Sequence, residues 1–172
     1  IWQSNINIDG TPNGYYVYTM DGATISNCYY KGANWDKNKQ MSVFRADTDF
    51  NGESYAADWL LGKGKGTIVA NIFNADSKWK VYAVEGGVKT EMTRLQSTPG
   101  QDAFAVGYHK KYAVANKYNF FSKQNGYLKM NHWYSYIPKD ANAVITIEAT
   151  DPFGNTYTAS SKDAVTEPFY NY

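Results

Sequence analysis

Residues 9–18 read Asp-Gly-Thr-Pro-Asn-Gly-Tyr-Tyr-Val-Tyr and hold the strongest fold signal in the chain. Pro12 fixes its own φ angle, and Gly10 and Gly14 permit positive φ, so the start of this stretch predicts a rigid turn. Tyr, Val and Thr favour strands, so the run that begins at Tyr15 predicts that the turn leads directly into a β-strand.

Two-residue alternation continues along the chain and predicts further strands. Ile145, Ile147 and Ala149 alternate with polar residues, as expected of a strand that buries one face. Asp21-Gly22 marks a tight turn between the first two strands. The predicted strands cover residues 15–20, 23–30, 40–46, 67–74, 78–84, 88–92, 127–136, 143–150 and 156–159. The predicted core contains Ile68, Ile72, Trp79, Val81, Ile145 and Ile147.

Short strands separated by turn signals predict an all-β fold in a single domain over residues 1–172. Their spacing is typical of a β-sandwich of immunoglobulin-like or jelly-roll-like character. One or two short helices are predicted as well, at residues 54–61 and 102–115. The second of these segments also alternates as a strand would, at Phe104, Val106 and Tyr108.

Composition narrows the function classes. The chain carries 17 basic and 16 acidic residues, a net charge of +1, which argues against a nucleic-acid-binding surface. No apolar stretch approaches the ~18 residues of a membrane span. Cys28 is the single cysteine, so no internal disulfide is expected, and we predict that it is a small core residue. The first residue is Ile1, which predicts a processed or excised part of a longer protein.

Residues 47–58 have the spacing of a twelve-residue calcium loop. Oxygen ligands at alternate positions can converge on one ion, and Gly52 permits the sharp turn. An ordinary polar hairpin turn around Asn51-Gly52 is the alternative, because no convincing helix precedes the loop. The candidate Ca²⁺ ligands are Asp47, Asp49, Asn51, Asp58 and the carbonyl of Glu53.

Three stretches together resemble one protein family. They are the turn at residues 9–15, Asn-Ile-Phe-Asn-Ala-Asp-Ser-Lys-Trp-Lys-Val at residues 71–81, and Asp-Pro-Phe-Gly-Asn-Thr-Tyr at residues 151–157. They resemble the C-terminal domain of bacterial calcineurin-like metallophosphoesterases and occur in the family's order. The resemblance implies a β-sandwich that follows a catalytic domain in the same polypeptide. It also implies a dinuclear metal centre in that catalytic domain, and export to the periplasm or cell envelope.

The chain itself lacks the catalytic signature of such enzymes. Their motifs are of the types Asp-x-His, Gly-Asp-x-x-Asp, Gly-Asn-His and Gly-His-x-His, and none occurs here. His109 and His132 are the only histidines in the sequence, too few for the usual dinuclear metal site. We therefore expect a non-catalytic accessory domain of a metal-dependent phosphoesterase, which packs on the catalytic domain and shapes substrate access. An independent hydrolase is the least favoured interpretation.

A carbohydrate-binding module is the alternative function. The chain contains 16 Tyr, 8 Phe and 5 Trp residues, and exposed rings at Trp2, Trp35 and Trp133 would stack on sugar faces. His132, next to Trp133, would then contact a sugar or a phosphate. The opposing interpretation is that these rings fill the sandwich and that His132 makes a structural hydrogen bond.

Overall fold

The structure is a computed structural model that describes residues 10–33, 35–46, 49–50, 53–54, 66–95, 98–100, 128–130 and 132–163. These residues form β-strands and no helix, which confirms the all-β prediction. The strands are β1 (Gly14–Asp21), β2 (Thr24–Gly32), β3 (Met41–Arg45), β4 (Asp49–Phe50), β5 (Glu53–Ser54), β6 (Ile68–Ile72), β7 (Lys80–Glu85), β8 (Val88–Glu91), β9 (Thr93–Leu95), β10 (Thr98–Gly100), β11 (Leu128–Met130), β12 (Trp133–Tyr136), β13 (Thr146–Thr150) and β14 (Thr156–Ser160).

Two four-stranded antiparallel sheets form the body of the domain. The first has the strand order β3-β6-β12-β9 and the second β14-β13-β7-β8. Apolar side chains from both sheets share one core cluster, as in a β-sandwich. Three two-stranded pairs complete the described part of the chain: β1 with β2, β4 with β5, and β10 with β11.

The second sheet shows the alternation that the sequence predicts. Ile145, Ile147 and Ala149 are completely buried, and the residues between them are partly exposed. Val81 and Ala83 are buried on the neighbouring strand β7. The predicted core is therefore confirmed at its centre. Trp79 lies at the edge, half-buried against the core cluster and stacked on Tyr157 at 6.0 Å between ring centroids.

The first sheet departs from simple alternation because its central strands are buried on both faces. All five residues of β6 are buried, and so are Trp133 and its neighbour Tyr134 on β12. The long strand predicted at residues 127–136 is wrong. It is replaced by β11, which pairs with β10, and β12, which pairs with β6 and β9. The pattern within one run does not record a change of pairing partner, because partners are set by distant parts of the chain.

The opening turn forms as predicted. Gly10 has φ 80°, and the hydroxyl of Tyr30 donates to the carbonyl of Pro12 at 2.5 Å. Gly14 has a different role from the one expected, because it is needed for space and not for positive φ. A Cβ atom there would lie 2.2 Å from the carbonyl oxygen of Lys31 on the paired strand. The predicted hairpin of β1 and β2 is confirmed, with a bulge between Thr19 and Met20.

Both predicted helices, at residues 54–61 and 102–115, lie outside the described residues, apart from Ser54, which ends β5.

Arg45 connects the edge of the first sheet to the loop before β13. Its guanidinium donates to the carbonyls of Ala141 and Ala143, each at 2.5 Å. Such charge-assisted contacts satisfy backbone oxygens that would otherwise lack partners in this partly buried region.

Glu85 ends β7 and accepts three hydrogen bonds, from the N–H groups of Asp140 and Lys139 and from the hydroxyl of Tyr136. The Asp140 N–H, then the Tyr136 hydroxyl and the Lys139 N–H, lower the pKa of Glu85 below its ordinary value of 4.5. A carboxylate whose pKa is lowered by folding stabilises the protein above the unfolded-state pKa. That stabilisation is lost as the pH falls through the folded-state pKa.

We therefore expect Glu85→Gln to lower the melting temperature at neutral pH. The gap between the variant and the native chain should narrow as the pH falls below 4.5. Glu91→Gln, at an exposed position on β8, is the control. Thermal melts monitored by circular dichroism at a series of pH values measure both gaps. If the difference in melting temperature between Glu85→Gln and the native chain does not change with pH, the Glu85 carboxylate does not stabilise the fold in this way.

Candidate functional site

A groove of about 260 Å³ lies where the β1–β2 hairpin meets one end of the sandwich. We call it the hairpin groove. The hairpin contributes tyrosines and Cys28, the β13–β14 turn contributes residues 151–153, and Gln40 lies just before β3. The loop after β6 contributes Phe73, Asn74, Asp76 and Trp79. Pockets that bind small molecules typically combine apolar walls with a few placed polar groups, and the hairpin groove has both.

Aromatic rings form its walls. Tyr16 and Tyr18 line the hairpin side with their ring centroids 5.9 Å apart, and 44% and 52% of their surfaces are exposed. Trp79 and Phe153 line the side that belongs to the sandwich. Burial is the main cause that raises the pKa of Tyr16 to about 12, so its hydroxyl remains a neutral hydrogen-bond donor across the physiological pH range.

The loop after β6 brings two polar side chains to the groove. Asn74 has φ 58°, the left-handed conformation that Asn adopts more readily than most residues other than Gly. The Oδ1 atom of Asp76 accepts the N–H of Lys78 at 2.8 Å, and its backbone carbonyl accepts the Tyr134 hydroxyl at 3.3 Å. These bonds fix the loop, while Oδ2 of Asp76 has no hydrogen-bond partner within the described part of the chain.

Asp151 organises the opposite turn. Its Oδ1 accepts the N–H groups of Phe153 and Asn155, and its Oδ2 accepts the side-chain amide of Asn155 at 2.8 Å. The same amide donates to Oδ1 of Asn27 on β2, also at 2.8 Å. Asp151 is therefore a structural residue. Through Asn155 it joins the sandwich to the hairpin.

Cys28 lines the groove and is half-buried, so the prediction that it belongs to the core is wrong. The β1–β2 hairpin lies at the end of the sandwich, so the middle of β2, where Cys28 is found, lies outside the main core. Burial, followed by the charge of Asp151, raises the pKa of the Cys28 thiol. A neutral thiol is a poor nucleophile, so Cys28 gives no support to covalent chemistry in the groove.

The charges around the groove are of one sign. Asp76 and Asp151 are acidic, and neither Lys nor Arg is among the described residues that line it. A phosphate or another anion would meet these two carboxylates and no cation from the described residues, which opposes binding. The two carboxylates therefore disfavour an anionic ligand, such as the scissile group of a phosphoesterase substrate, at this groove.

The histidine and tryptophan singled out in the sequence lie elsewhere. Trp133 is completely buried in β12, with its ring at 6.2 Å from that of Phe44 in an edge-to-face arrangement. Trp35 is only 7% exposed, and Trp2 lies outside the described residues. Neither Trp133 nor Trp35 offers the open ring face that sugar stacking requires. His132 is half-buried beside β12, and its carbonyl accepts the N–H of Ile72 at 3.1 Å.

The candidate calcium loop is described only in part. Asp49–Phe50 pairs antiparallel with Glu53–Ser54, which leaves two residues between the strands, the spacing of an Asn-Gly hairpin. Asp47, Asn51 and Asp58 lie outside the described residues, as do all side chains of this loop. Calcium binding by Asp47, Asp49, Asn51, Glu53 and Asp58 stays a prediction. Within the described ranges, no three His, Cys, Asp or Glu side chains cluster closely enough to bind a metal ion.

Comparison with known families places this geometry in context. The family model MetallophosC, described as the C terminal of calcineurin-like phosphoesterase, matches residues 1–157. The chain belongs to this family. The resemblance seen at residues 9–15, 71–81 and 151–157 is thereby confirmed. No curated protein and no solved structure matches the chain significantly.

Membership assigns the MetallophosC chain to the C-terminal part of a calcineurin-like phosphoesterase and makes it an accessory domain of such an enzyme. Two of the stretches that carried the resemblance in the sequence, at residues 71–81 and 151–157, contribute lining residues on the sandwich side of the hairpin groove. In the part of the chain that the structure describes, no helix is long and apolar enough to cross a membrane.

Sequence reasoning missed the hairpin groove. Tyr16 and Tyr18 looked like ordinary strand residues, and Asn74 and Asp76 looked like loop residues. One signal was present, because β1 carries tyrosines on both of its faces at Tyr15 and Tyr16. A two-stranded hairpin cannot bury both faces, so at least one row of rings had to remain accessible.

Proposed function

We propose that this chain is a non-catalytic domain that packs on the catalytic domain of its phosphoesterase through the β1–β2 hairpin and so shapes substrate access. The proposal rests on the family match and on one observation, the exposed apolar surface of the hairpin. Of nine exposed large hydrophobic side chains in the described part of the chain, five lie in β1 and β2: Tyr15, Tyr16, Tyr18, Met20 and Ile25.

The pairing of the hairpin supports this role. Strands β1 and β2 form a two-stranded sheet and join neither sheet of the sandwich. An isolated hairpin is marginally stable, so further contacts on its exposed face would stabilise it. Contiguous exposed apolar side chains are typical of interaction surfaces, and tyrosine and methionine are enriched there.

Three of the five exposed side chains do not line the hairpin groove: Tyr15, with 57% of its surface exposed, Met20 with 55% and Ile25 with 43%. Tyr15 lies at the other end of β1 from Met20, so we call Met20 and Ile25 alone the hairpin patch. Met20 and Ile25 are paired across the two strands, so they form one continuous apolar contact. With a net charge of +1 the chain has little electrostatic steering available, which favours apolar docking.

Replacing Met20 and Ile25 by serine in the longer polypeptide tests the docking. We expect the two domains of the native protein to unfold in one coupled transition, and those of the double variant to unfold in two, because the apolar contact is lost. If the domain shapes the access of substrate to the catalytic domain, the KM for a generic phosphodiester should change in the double variant. Differential scanning calorimetry and steady-state kinetics give the two readouts.

Val88→Ser combined with Val144→Ser is the matched control, since these exposed valines lie outside the hairpin and the groove. It should leave both readouts as in the native protein. If the hairpin variant and the control behave alike, the hairpin patch is not the docking surface.

A further inference from the structure

We propose that the hairpin groove binds a single neutral sugar ring. The inference concerns the groove of this chain alone and does not depend on how the domain packs against its catalytic partner. The hairpin patch and the groove are formed by different side chains, so the hairpin can contact another domain while the groove remains available.

The dimensions of the groove fit one ring. Its volume of about 260 Å³ lies just below the range of about 300–1,000 Å³ that is typical of sites for drug-sized ligands. Exposed tyrosines stand on one side, and Phe153, with 42% of its surface exposed, stands at the rim on the other. Aromatic faces of this kind pack against the apolar C–H face of a pyranose while water is excluded from both surfaces.

The polar groups suit hydroxyls. A sugar hydroxyl both donates and accepts hydrogen bonds, and the side-chain amide of Asn74 can do the same. Oδ2 of Asp76, which has no partner among the described residues, can accept from a second hydroxyl. Both side chains belong to one loop whose backbone is fixed by the Asp76–Lys78 hydrogen bond of 2.8 Å. The backbone that carries them is therefore ordered before a ligand arrives, which reduces the entropic cost of binding.

The backbone of Asn74 is a second, independent observation. A non-glycine residue at φ 58° is uncommon, and Asn74 is the one such residue in the described part of the chain. Conformations of this kind are concentrated at ligand sites, where they direct a side chain or a backbone group toward the ligand. Asn74 lines the groove and is exposed, in agreement with that role.

The charges of the residues that line the groove favour a neutral sugar over an anionic or a cationic ligand. Anions are opposed by Asp76 and Asp151. An organic cation would need a carboxylate free to neutralise it, but both oxygens of Asp151 already accept N–H donors. Asp76 alone remains, and it is exposed to water, where an ion pair contributes little. A neutral ligand with several hydroxyls satisfies the same atoms without needing charge compensation.

The test is a titration of the chain with glucose, galactose, mannose, xylose and N-acetylglucosamine, followed by amide chemical shifts in NMR spectra. We expect at least one of these sugars to shift the amide signals of residues 74–79, 151 and 153–155 saturably. Asn74→Gly should weaken binding about three- to tenfold, since one hydrogen bond is lost while glycine keeps the positive φ. Phe153→Ala should weaken it by a similar factor. Asn142→Gly, at an exposed position outside the groove, is the matched control and should change nothing.

Two further arms make the result decisive. Asp76→Asn keeps an oxygen for the Lys78 N–H but removes the charge, so a neutral sugar should still bind within about tenfold, whereas a cation should not. Tetramethylammonium chloride and inorganic phosphate are the charged probes. The proposal is overturned if no sugar shifts these amides, if tetramethylammonium or phosphate binds there instead, or if the shifts persist unchanged in both Asn74→Gly and Phe153→Ala.

Discussion

Replacing Trp133 by alanine should lower the free energy of unfolding by about 3–5 kcal/mol. Trp133 is completely buried on β12, a central strand of the first sheet that pairs with β6 on one side and β9 on the other. Its ring packs edge-to-face against Phe44. Removal of the indole therefore loses the free energy gained by burying it away from water. It also leaves a cavity among side chains that cannot collapse freely.

Two variants isolate this effect. Trp79→Ala removes the same side chain from a half-buried position at the edge of the core, so its cost should be clearly smaller. Trp133→Phe keeps most of the apolar ring and removes an indole N–H that has no hydrogen-bond partner among the described residues, so its cost should also be smaller than that of alanine. Urea denaturation followed by far-UV circular dichroism measures all three. A loss for Trp133→Ala no greater than that for Trp79→Ala would contradict the packing described here.

The second sheet could be predicted from sequence because each of its strands buries one face. The run from Ile145 to Ala149 alternates strictly, and burial follows the alternation residue by residue. Gly86 and Gly87 both have positive φ, as a tight turn between β7 and β8 requires, and glycine is the residue that adopts it most readily. Local pattern and local turn chemistry were sufficient there.

The first sheet could not be predicted to the same degree. Residues 127–136 alternate as one strand would, but the chain changes partner between β11 and β12. Strand pairing depends on contacts between residues far apart in sequence, and a periodic pattern contains no record of them. For the same reason Trp133 resembled an exposed ring that could bind a sugar, whereas it is a core residue of a sheet buried on both faces.

The hairpin groove shows a similar limit for functional sites. Its described walls come mainly from three separate segments, at β1–β2, residues 73–79 and residues 151–153, with Gln40 as a further lining residue. Each segment was visible in the sequence, and two of them carried the family resemblance. Their convergence was not visible, because it depends on the hydrogen bonds of Asp151 and Asn155 that join the turn to β2. Carbohydrate binding stays a prediction, and Trp35 and Trp133, which the sequence suggested for it, are both buried.

The family match makes this chain an accessory domain of a calcineurin-like phosphoesterase, and we propose that it has no catalytic activity of its own. A calcineurin-like phosphoesterase needs two adjacent metal ions with several His, Asp and Asn ligands, and the whole sequence contains two histidines. The hairpin groove adds no alternative, since it is acidic and its thiol is protonated at neutral pH. Catalysis should therefore reside in the polypeptide that the family relationship places before this domain.

Hydrolysis of a generic phosphodiester in the presence of Mn²⁺, by this chain alone and by the longer polypeptide, tests that claim most directly. We expect no turnover by the chain alone, and metal-dependent turnover by the longer polypeptide of the order expected for enzymes, about 10⁶-fold or more over the uncatalysed reaction. His132→Ala and His109→Ala in the longer polypeptide should leave metal-dependent turnover in place. Metal-dependent turnover by the purified chain, abolished by either substitution, would contradict the account.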